Sequence, residues 1–282
     1  MFLVRLSNPA PREPPEPMIT ALATQSLPKT RIFVAPEHLT ADRAVLTGPG
    51  YHHLRHVLRF KPGDELVVFD GAGRECFGVL EMFQGETAVL RILGDAGRST
   101  ESGLDLTIAP CLAKGKKIDL IVEKVIELGA DRVCVVTSER SVGRLDPAQA
   151  LDRVERWRRI AKAAAEQSGR TVMPVIERIR TFEEFVANKP ADALGLLFTT
   201  GAEKNPAATL RVRFPDVTRV IAMIGPEGGF APEEIEYAQT HGFVAVGLGP
   251  RVLRTETAAI VASAICQHLW GDLGRRAPGD NG

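Results

Sequence analysis

The order of strand and helix patterns from Leu104 onward is the feature that most constrains how this chain folds. Apolar residues alternate with polar ones over residues 104–112, recur at helical spacing over residues 116–128, and form an unbroken run at 133–136 within the segment 132–137. The first and third patterns predict strands, and the second predicts a helix. Because strands that alternate with helices build a parallel sheet covered by helices, we predict an α/β fold for this part of the chain.

The same alternation continues toward the carboxyl terminus. Further predicted strands cover residues 194–198, 219–224 and 243–248, and further predicted helices cover residues 147–168, 233–241 and 257–270. The apolar residues of the helix over 147–168 share one stripe, which comprises Leu151, Val154, Trp157, Ala161 and Ala164. Pro232 and Gly242 stand where helices usually begin and end, so they set the limits of the helix between them.

A smaller β-rich domain is predicted over residues 31–98. Its strand patterns cover residues 31–34, 65–70, 75–82 and 87–93, and a short helix is predicted over residues 51–59. Short strands separated by turn residues indicate a small barrel. The polar segment 95–103 is the predicted boundary, so the second domain spans residues 104–272.

Residues 1–30 are rich in proline and poor in large apolar residues. Such a segment buries too little surface to offset its ordering entropy, so we predict a disordered arm. Either Met1 or Met18 fits as the first residue of the protein.

The composition is that of a globular protein, with 44% hydrophobic and 25% charged residues. No apolar run approaches the roughly 20 residues of a membrane-spanning helix, and the amino-terminal run is too short for a signal peptide. The four cysteines are far apart, without the C-x-x-C spacing of zinc or redox sites. We therefore expect a cytoplasmic protein with no membrane association and no metal.

Three glycine-containing loops follow predicted strands, after Phe198, Ile224 and Leu248. Ligands of open parallel sheets bind beyond the carboxyl ends of the strands, and glycine lets a ligand approach the backbone closely. The alternative is that glycine and proline only make tight turns here. Neither a phosphate-binding G-x-x-x-x-G-K-[ST] motif nor a dinucleotide-binding G-x-G-x-x-G motif opens the first strand–helix unit.

Several motifs in the chain resemble one family of RNA-modifying enzymes. GPEGGF at 225–230, LGPRVLRTETA at 248–258 and EQSGR at 166–170 resemble the ribosomal RNA small subunit methyltransferase E family of the SPOUT (trefoil-knot) superfamily. HHLRHVLRFKPGDELVVFDGAG at 52–73 resembles the PUA-like RNA-binding domain of that family, and KGKKIDLIVEKVIELGAD at 115–131 resembles the first helix of its catalytic domain. The resemblance covers residues 31–271.

The resemblance implies methylation of N3 of one uridine in 16S rRNA of the small ribosomal subunit, with S-adenosyl-L-methionine as the cofactor. It also implies a homodimer and a trefoil-knotted parallel-sheet domain preceded by a small PUA-like β-barrel. The expected cofactor-binding residues lie in the three loops: Phe198, Thr199, Gly201, Ile224, Gly225, Pro226, Gly228, Gly229, Leu248, Gly249, Val252, Leu253 and Thr257.

Glu227 and Arg254 are the candidate catalytic residues. Methylation of uridine N3 requires removal of its weakly acidic proton, and Glu227 and Glu256 are the carboxylates in these loops. Alternatively, Glu227 orders its own loop. Glu256 lies near the start of the last predicted helix, so it fits better as a carboxylate that stabilises the dipole of that helix. Arg254 can hold a phosphate or a uracil oxygen, although an ion pair with either glutamate would also explain it.

Basic residues in three places are candidates for RNA contact: His53, Arg55, Arg59, Lys116, Arg156 and Arg170. A solvated protein surface is the alternative for each of them. The segment HHLRH has no carboxylate beside its histidines, so it does not match a metal-binding motif.

Three other functions fit parts of this pattern. A related knotted enzyme would methylate a ribose 2′-hydroxyl or a guanine. A binding protein on the same scaffold would hold RNA without binding the cofactor. A small-molecule α/β enzyme is disfavoured because the chain lacks a nucleophile elbow, a metal motif and a dinucleotide fingerprint.

Overall fold

The computed structural model describes residues 30–97, 99–141, 146–202 and 207–273. Except for residue 30, the predicted disordered arm lies outside these described residues. Within them the chain forms a five-stranded sheet, a six-stranded sheet and a separate pair of short strands. The described helices include none that is long and apolar enough to cross a membrane.

The five-stranded sheet belongs to the amino-terminal region. Its strands are β1 (Arg31–Phe33), β2 (Arg43–Leu46), β3 (Glu65–Phe69), β4 (Glu75–Gln84) and β5 (Thr87–Asp95). Their order in the sheet is β1-β3-β4-β5-β2, with β1 parallel to β3 and the other neighbours antiparallel. The sequence patterns predicted four of these strands. They missed β2, which has only four residues and forms by pairing with β5, far away in sequence.

The predicted short helix has two parts. An α-helical turn, α1 (Gly48–His52), continues into a π-helical turn at His53–Val57. Leu54 is fully buried in the core of the small sheet, while its neighbours on both sides are exposed. One apolar anchor therefore fixes the segment and leaves a row of polar side chains facing solvent.

The six-stranded sheet is entirely parallel and confirms the predicted α/β architecture. Its strands, in spatial order, are β13 (Phe243–Val246), β11 (Leu194–Phe198), β12 (Arg219–Ile224), β6 (Asp105–Pro110), β7 (Arg132–Val133) and β9 (Val175–Ile176). The remaining two strands, β8 (Val136–Thr137) and β10 (Arg180–Thr181), pair with each other.

Helices cover both faces of the parallel sheet. They are α2 (Lys117–Glu127), α3 (Pro147–Ser168), α4 (Phe182–Ala187), α5 (Leu210–Arg213), α6 (Pro232–Thr240) and α7 (Thr255–Trp270). One buried cluster joins the sheet to α2, α3 and α7 and includes Trp157 and Trp270. A second cluster joins the opposite face to α4 and α6 and includes Phe182 and Ala238. The sheet is thus the middle of three layers.

Four local predictions need correction. Residues 132–137 form two strands, β7 and β8, because the first pairs with β6 and the second pairs with β10. The predicted apolar stripe of α3 includes Leu151, but this side chain is 67% exposed because it lies in the first turns, beyond the core. Helix α7 begins at Thr255, two residues before the predicted start. Strands β9 and β10 and helices α4 and α5 were not predicted, since each is very short.

A set of hydrogen bonds holds the small sheet against α3. The guanidinium of Arg31 donates to the carbonyl oxygens of Ala165 at 3.2 Å, Glu166 at 3.1 Å and Arg170 at 3.0 Å. It also lies 2.6 Å from the carboxylate of Glu75, and both side chains are almost fully buried. An arginine at the end of a helix satisfies carbonyl groups that have no partner within the helix. Arg31, which belongs to the small sheet, therefore caps the carboxyl-terminal end of α3.

Two further contacts extend this junction. The amide of Phe33 donates to the carboxylate of Glu166 at 3.1 Å, and the ammonium of Lys162 lies 4.8 Å from the centre of the Phe33 ring. The amide of Met173 donates to the carbonyl of Gly71 at 2.8 Å. The small sheet is consequently attached along the whole carboxyl-terminal end of α3.

All four cysteines are buried free thiols. Burial raises the pKa of Cys76, Cys111, Cys134 and Cys266 to about 12. Because the thiolate is the reactive form, these side chains behave as small core residues. This agrees with the interpretation of Cys134 and Cys266 from their apolar surroundings.

Candidate functional site

The three predicted loops come together at one cavity of about 350 Å³ beyond the carboxyl ends of β11, β12 and β13. Eleven of the thirteen predicted cofactor-binding residues line it: Phe198, Thr199, Ile224, Gly225, Pro226, Gly228, Gly229, Leu248, Gly249, Val252 and Leu253. Gly201 and Thr257 are not among the lining residues. The cavity lies where ligands bind in open parallel sheets.

Glycine exposes the main chain in the walls of this cavity. Gly229 and Gly249 have φ values of +67° and +97°, a backbone conformation that other residues adopt only with strain. A Cβ atom at Gly225 would lie 3.2 Å from two atoms of the buried Phe230 ring. Glycine is therefore required here both for backbone shape and for the space beside the cavity.

Apolar and polar groups are both available to a ligand. Phe198 and Ile224 are buried at the ends of their strands and supply apolar walls. The hydroxyl of Thr255 donates to the carbonyl of Gly225 at 3.3 Å, which joins the amino terminus of α7 to the loop after β12. An apolar pocket with a few fixed polar groups suits a planar heterocycle with a polar edge.

Glu227 lies at the rim of the cavity and forms an ion pair with Lys117. The ammonium nitrogen of Lys117 is 2.6 Å from a carboxylate oxygen of Glu227. This hydrogen bond holds the pKa of Glu227 below its usual range, so the carboxylate is ionised at neutral pH. The sequence analysis selected Lys116 as a candidate for RNA contact and did not single out its neighbour Lys117.

Glu256 and Arg254 stand at the start of α7. One carboxylate oxygen of Glu256 is enclosed and has no hydrogen-bond partner among the described residues; it lies 4.0 Å from Lys117. Glu256 occupies the first turn of the helix, where the dipole favours negative charge. Arg254 lines the cavity, is exposed, and has no ion pair within the described part of the chain. The predicted alternative, an Arg254 ion pair with either glutamate, is therefore not formed.

Two residues that the sequence analysis missed order the loop around Gly228. The guanidinium of Arg140 donates to the carbonyl of Gly228 at 3.1 Å. The buried carboxylate of Glu234 accepts hydrogen bonds from the amide of Glu139 at 2.9 Å and from the amide of Ala231 at 2.8 Å. Glu234 stands three residues after Ala231, and this capping spacing was a usable local signal. No local pattern indicates Arg140.

The structure leaves most of the predicted RNA-contacting residues accessible. His53, Arg55, Arg59 and Lys116 are exposed. Arg156 is half exposed and holds Asp119 through two nitrogens, at 3.0 Å and 2.7 Å. No group of three histidine, cysteine or acidic side chains within the described ranges is arranged to hold a metal ion.

Arg170 is not an RNA-facing residue, which corrects the prediction. It is only 3% exposed and donates to the carboxylates of Glu101 at 2.6 Å and Asp131 at 2.9 Å. Glu101 also accepts hydrogen bonds from the amides of Thr171 and Val172. Arg170 therefore ties the segment between the two regions to the end of α3, and sequence alone could not reveal its buried partners.

Comparison with protein families identifies the class to which this fold and site belong. Residues 100–267 match the model of an RNA methyltransferase domain, and residues 46–93 match that of an RNA methyltransferase PUA domain. The two matched segments correspond to the parallel-sheet region and to most of the small sheet.

Individual relatives narrow this class. The chain is 34% identical over 235 residues to the ribosomal RNA small subunit methyltransferase E of Synechocystis, covering 83% of this chain and 76% of the relative. It is 30% identical over 221 residues to the enzyme of the same name from Bacillus subtilis, covering 77% and 86%. The chain belongs to the ribosomal RNA small subunit methyltransferase E family, which confirms the resemblance found in its motifs.

Solved structures of similar proteins agree with this fold. A ribosomal RNA small subunit methyltransferase E from Neisseria gonorrhoeae, bound to S-adenosyl methionine, is 33% identical with a TM-score of 0.78, covering 86% of this chain and 98% of the other. A putative methyltransferase from Legionella pneumophila, in complex with the same cofactor, is 30% identical with a TM-score of 0.79, covering 87% and 100%.

Proposed function

We propose that the chain methylates N3 of one uridine in the 16S rRNA of the small ribosomal subunit, with S-adenosyl-L-methionine as the methyl donor. The observation that carries the proposal is the convergence of three glycine loops on one cavity in a chain of this family. Two similar structures contain the cofactor, which supports its assignment to this protein.

The residues of the cavity fit this cofactor. Its volume of about 350 Å³ lies within the range of small-molecule sites, and its walls combine apolar side chains with exposed main chain. Phe198, Ile224 and Leu248 would enclose the adenine ring, and the backbone at Gly225 and Gly249 would supply hydrogen bonds to its edge. The bound cofactor supplies an electrophilic methyl group.

Glu227 is the proposed proton acceptor, and Arg254 is the proposed RNA-contacting residue at the cavity. The ionised carboxylate of Glu227 would take the proton from N3, and the nitrogen lone pair would form the bond to the methyl carbon as the bond from that carbon to the cofactor's sulfur breaks, which leaves S-adenosylhomocysteine. Arg254 has no described partner, so its guanidinium is free to hold a phosphate or a uracil oxygen. Positioning of N3 in line with the methyl group supplies much of the remaining acceleration.

RNA contact is assigned to His53, Arg55, Arg59, Lys116 and Arg156, which are accessible basic residues. We also retain the predicted division into domains 31–98 and 104–272. Its support is that the five-stranded sheet lies within the first segment and the six-stranded sheet within the second.

Three further parts of the proposal follow from the family resemblance. They are a homodimer, a location in the cytoplasm, and a trefoil knot in which α7 passes beneath the loop after β11. The packing of α7 against β6 and β12 is compatible with this path of the chain. Light scattering on the purified protein tests the dimer.

Methylation of small ribosomal particles tests the proposed activity directly. Particles from a strain that lacks this gene would be incubated with the protein and labelled cofactor, and the product nucleoside would be mapped by mass spectrometry. We expect a single N3-methyluridine. A 2′-O-methyl or methylguanine product would establish the related activity instead. Failure to bind the cofactor in a calorimetric titration would identify an RNA-binding protein without this activity.

Replacement Glu227→Gln tests the proton acceptor. The amide keeps the size of the side chain but cannot take the proton, so turnover should fall about 100-fold or more. Cofactor affinity, measured by calorimetry, should stay within a few-fold of the unmodified protein. Unchanged turnover would remove Glu227 from the proton transfer.

A further inference from the structure

The segment at residues 51–59 presents an unusual surface on the small sheet. His52, His53, Arg55 and His56 are exposed on the two helical turns, and Arg59 is exposed just beyond them. We name these five residues the histidine–arginine surface. Leu54 anchors the segment in the core. Arg59 has a φ value of +56°, the sole positive φ among the described residues other than glycine. The tight end of this segment therefore turns the Arg59 side chain away from the path of a regular helix.

This surface is cationic without local compensation. Residues 48–63 contain no aspartate or glutamate. Two acidic side chains that follow are engaged elsewhere: Asp64 accepts the amide of Lys61 at 2.7 Å, and Glu81 pairs with Arg91 at 3.4 Å. A polyanion is the partner with complementary charge.

Planar side chains of this surface also stand against neighbouring rings. The guanidinium carbon of Arg55 lies 4.4 Å from the centre of the Phe83 ring. The His56 ring stands 6.0 Å from the Tyr51 ring and 4.9 Å from the His52 ring. Arg55, His52 and His56 are the exposed members of these contacts, whereas Tyr51 and Phe83 are only partly exposed.

Exposed apolar side chains border the planar groups. Val57 and Met82 are 58% and 50% exposed, and Leu58 is also exposed. A surface that bound only phosphates would gain nothing from these side chains. Unpaired bases, by contrast, have apolar faces that stack on arginine and aromatic planes, whereas the bases of a duplex are stacked on each other.

We propose that the histidine–arginine surface binds unpaired RNA bases by stacking, with the Arg55 guanidinium on Phe83 as the principal platform. The substrate element held by the small sheet is therefore single-stranded. This inference rests on the proposed RNA substrate and specifies the form in which that RNA is held.

Replacement of Arg55 separates stacking from charge. Arg55→Lys keeps the positive charge but removes the planar group, and Arg55→Ala removes both. The probes are a short oligouridylate and an RNA duplex with the same number of nucleotides, titrated against the full-length protein at several salt concentrations. Arg43→Ala, an exposed arginine on β2 of the same sheet, is the matched control.

The unmodified protein should bind oligouridylate more tightly than duplex. Arg55→Lys should weaken oligouridylate binding about fivefold or more with an unchanged salt dependence. Arg55→Ala should weaken it further and reduce the slope of log affinity against log salt concentration by about one. Arg43→Ala should bind as the unmodified protein does.

Two results would overturn the inference while leaving the proposed function intact. One is equal binding of Arg55→Lys and the unmodified protein to oligouridylate, and the other is equally tight binding of duplex. Methyl transfer to ribosomal particles by the unmodified protein would continue in both cases. Absence of salt-dependent RNA binding by the unmodified protein would instead remove the RNA substrate itself, and the inference with it.

Discussion

The small sheet and the parallel-sheet region present their ligand-binding groups in different ways. On the small sheet, side chains such as Arg55 and His56 project into solvent from a short helical segment. In the parallel-sheet region, the cavity is walled largely by loops whose glycines expose the backbone, as at Gly229 and Gly249. Replacement of a side chain should therefore change binding at the first surface, whereas the second site depends more on backbone shape.

The two regions meet at Arg170, and its replacement should give the largest effect. Arg170→Met leaves the partly buried carboxylate of Glu101 without its buried cationic partner, and loss of one partner of a buried pair costs about 3–5 kcal/mol. Urea unfolding should show this loss in the free energy of unfolding. Arg158→Ala, which removes an exposed pair with Glu155, should cost less than about 0.5 kcal/mol. Equal losses in the two variants would show that the buried network is dispensable.

The same variant should change the pH dependence of stability. Burial pushes the pKa of Glu101 upward, but hydrogen bonds from Arg170 and from two backbone amides outweigh it, so the net pKa lies below its usual value. Glu101 therefore contributes stability at neutral pH that is lost as the pH falls through its folded pKa. Asp131, whose pKa burial raises, works in the opposite direction. The free energy of unfolding of Arg170→Met should consequently fall less steeply below about pH 4.5.

A matched pair of glycine replacements tests the contrast between the two regions. Gly225→Ala places a Cβ atom 3.2 Å from the buried Phe230 ring, so the loop or the ring must move into the cavity. Cofactor affinity should fall about tenfold or more, since the site depends on close backbone approach. Gly85→Ala, at a turn of the small sheet with φ +58° and open space around it, should leave cofactor affinity unchanged. Equal cofactor affinities of the two variants, measured by calorimetry, would contradict the contrast between the two regions.

The smallest expected effect is that of replacing Lys117, whose side chain pairs with Glu227 at the rim of the cavity. Lys117→Gln removes the hydrogen bond that lowers the pKa of Glu227, so that pKa should rise. The acid limb of the pH profile of kcat/KM should therefore move to higher pH. Lys124→Gln, on the same helix and paired with Glu127, should leave the profile in place. An unmoved acid limb in Lys117→Gln would show that ionisation of Glu227 does not limit the reaction.

Local chemistry made parts of the fold predictable from sequence. Helix α3 was predicted with its observed limits because Asp146 caps its start, Pro147 occupies its first position, and Gly169 ends it with φ +85°. These signals need no knowledge of the rest of the chain. Strands β2 and β9 were missed because their few residues become strands only through pairing with distant segments.

The candidate site was predictable to a similar extent. Its loops were found because glycine follows three successive strands, with proline beside it after two of them, and most of the predicted residues line one cavity. The ion pairs of the site and the junction were not predictable from sequence. Nothing local distinguishes Lys117 from Lys116, or a buried Arg170 from an exposed one. The free-energy differences that select these partners depend on burial and on groups far away in sequence.

The junction built by Arg31 and Glu166 has a consequence for target choice. Because the end of α3 is held by side chains and backbone of the small sheet, these contacts set the position of the small sheet relative to the parallel-sheet region. An RNA bound at the small sheet would then reach the cavity of the parallel-sheet region over a fixed distance. The nucleotide to be methylated would be selected by its distance from the RNA segment bound at the small sheet as well as by its chemistry.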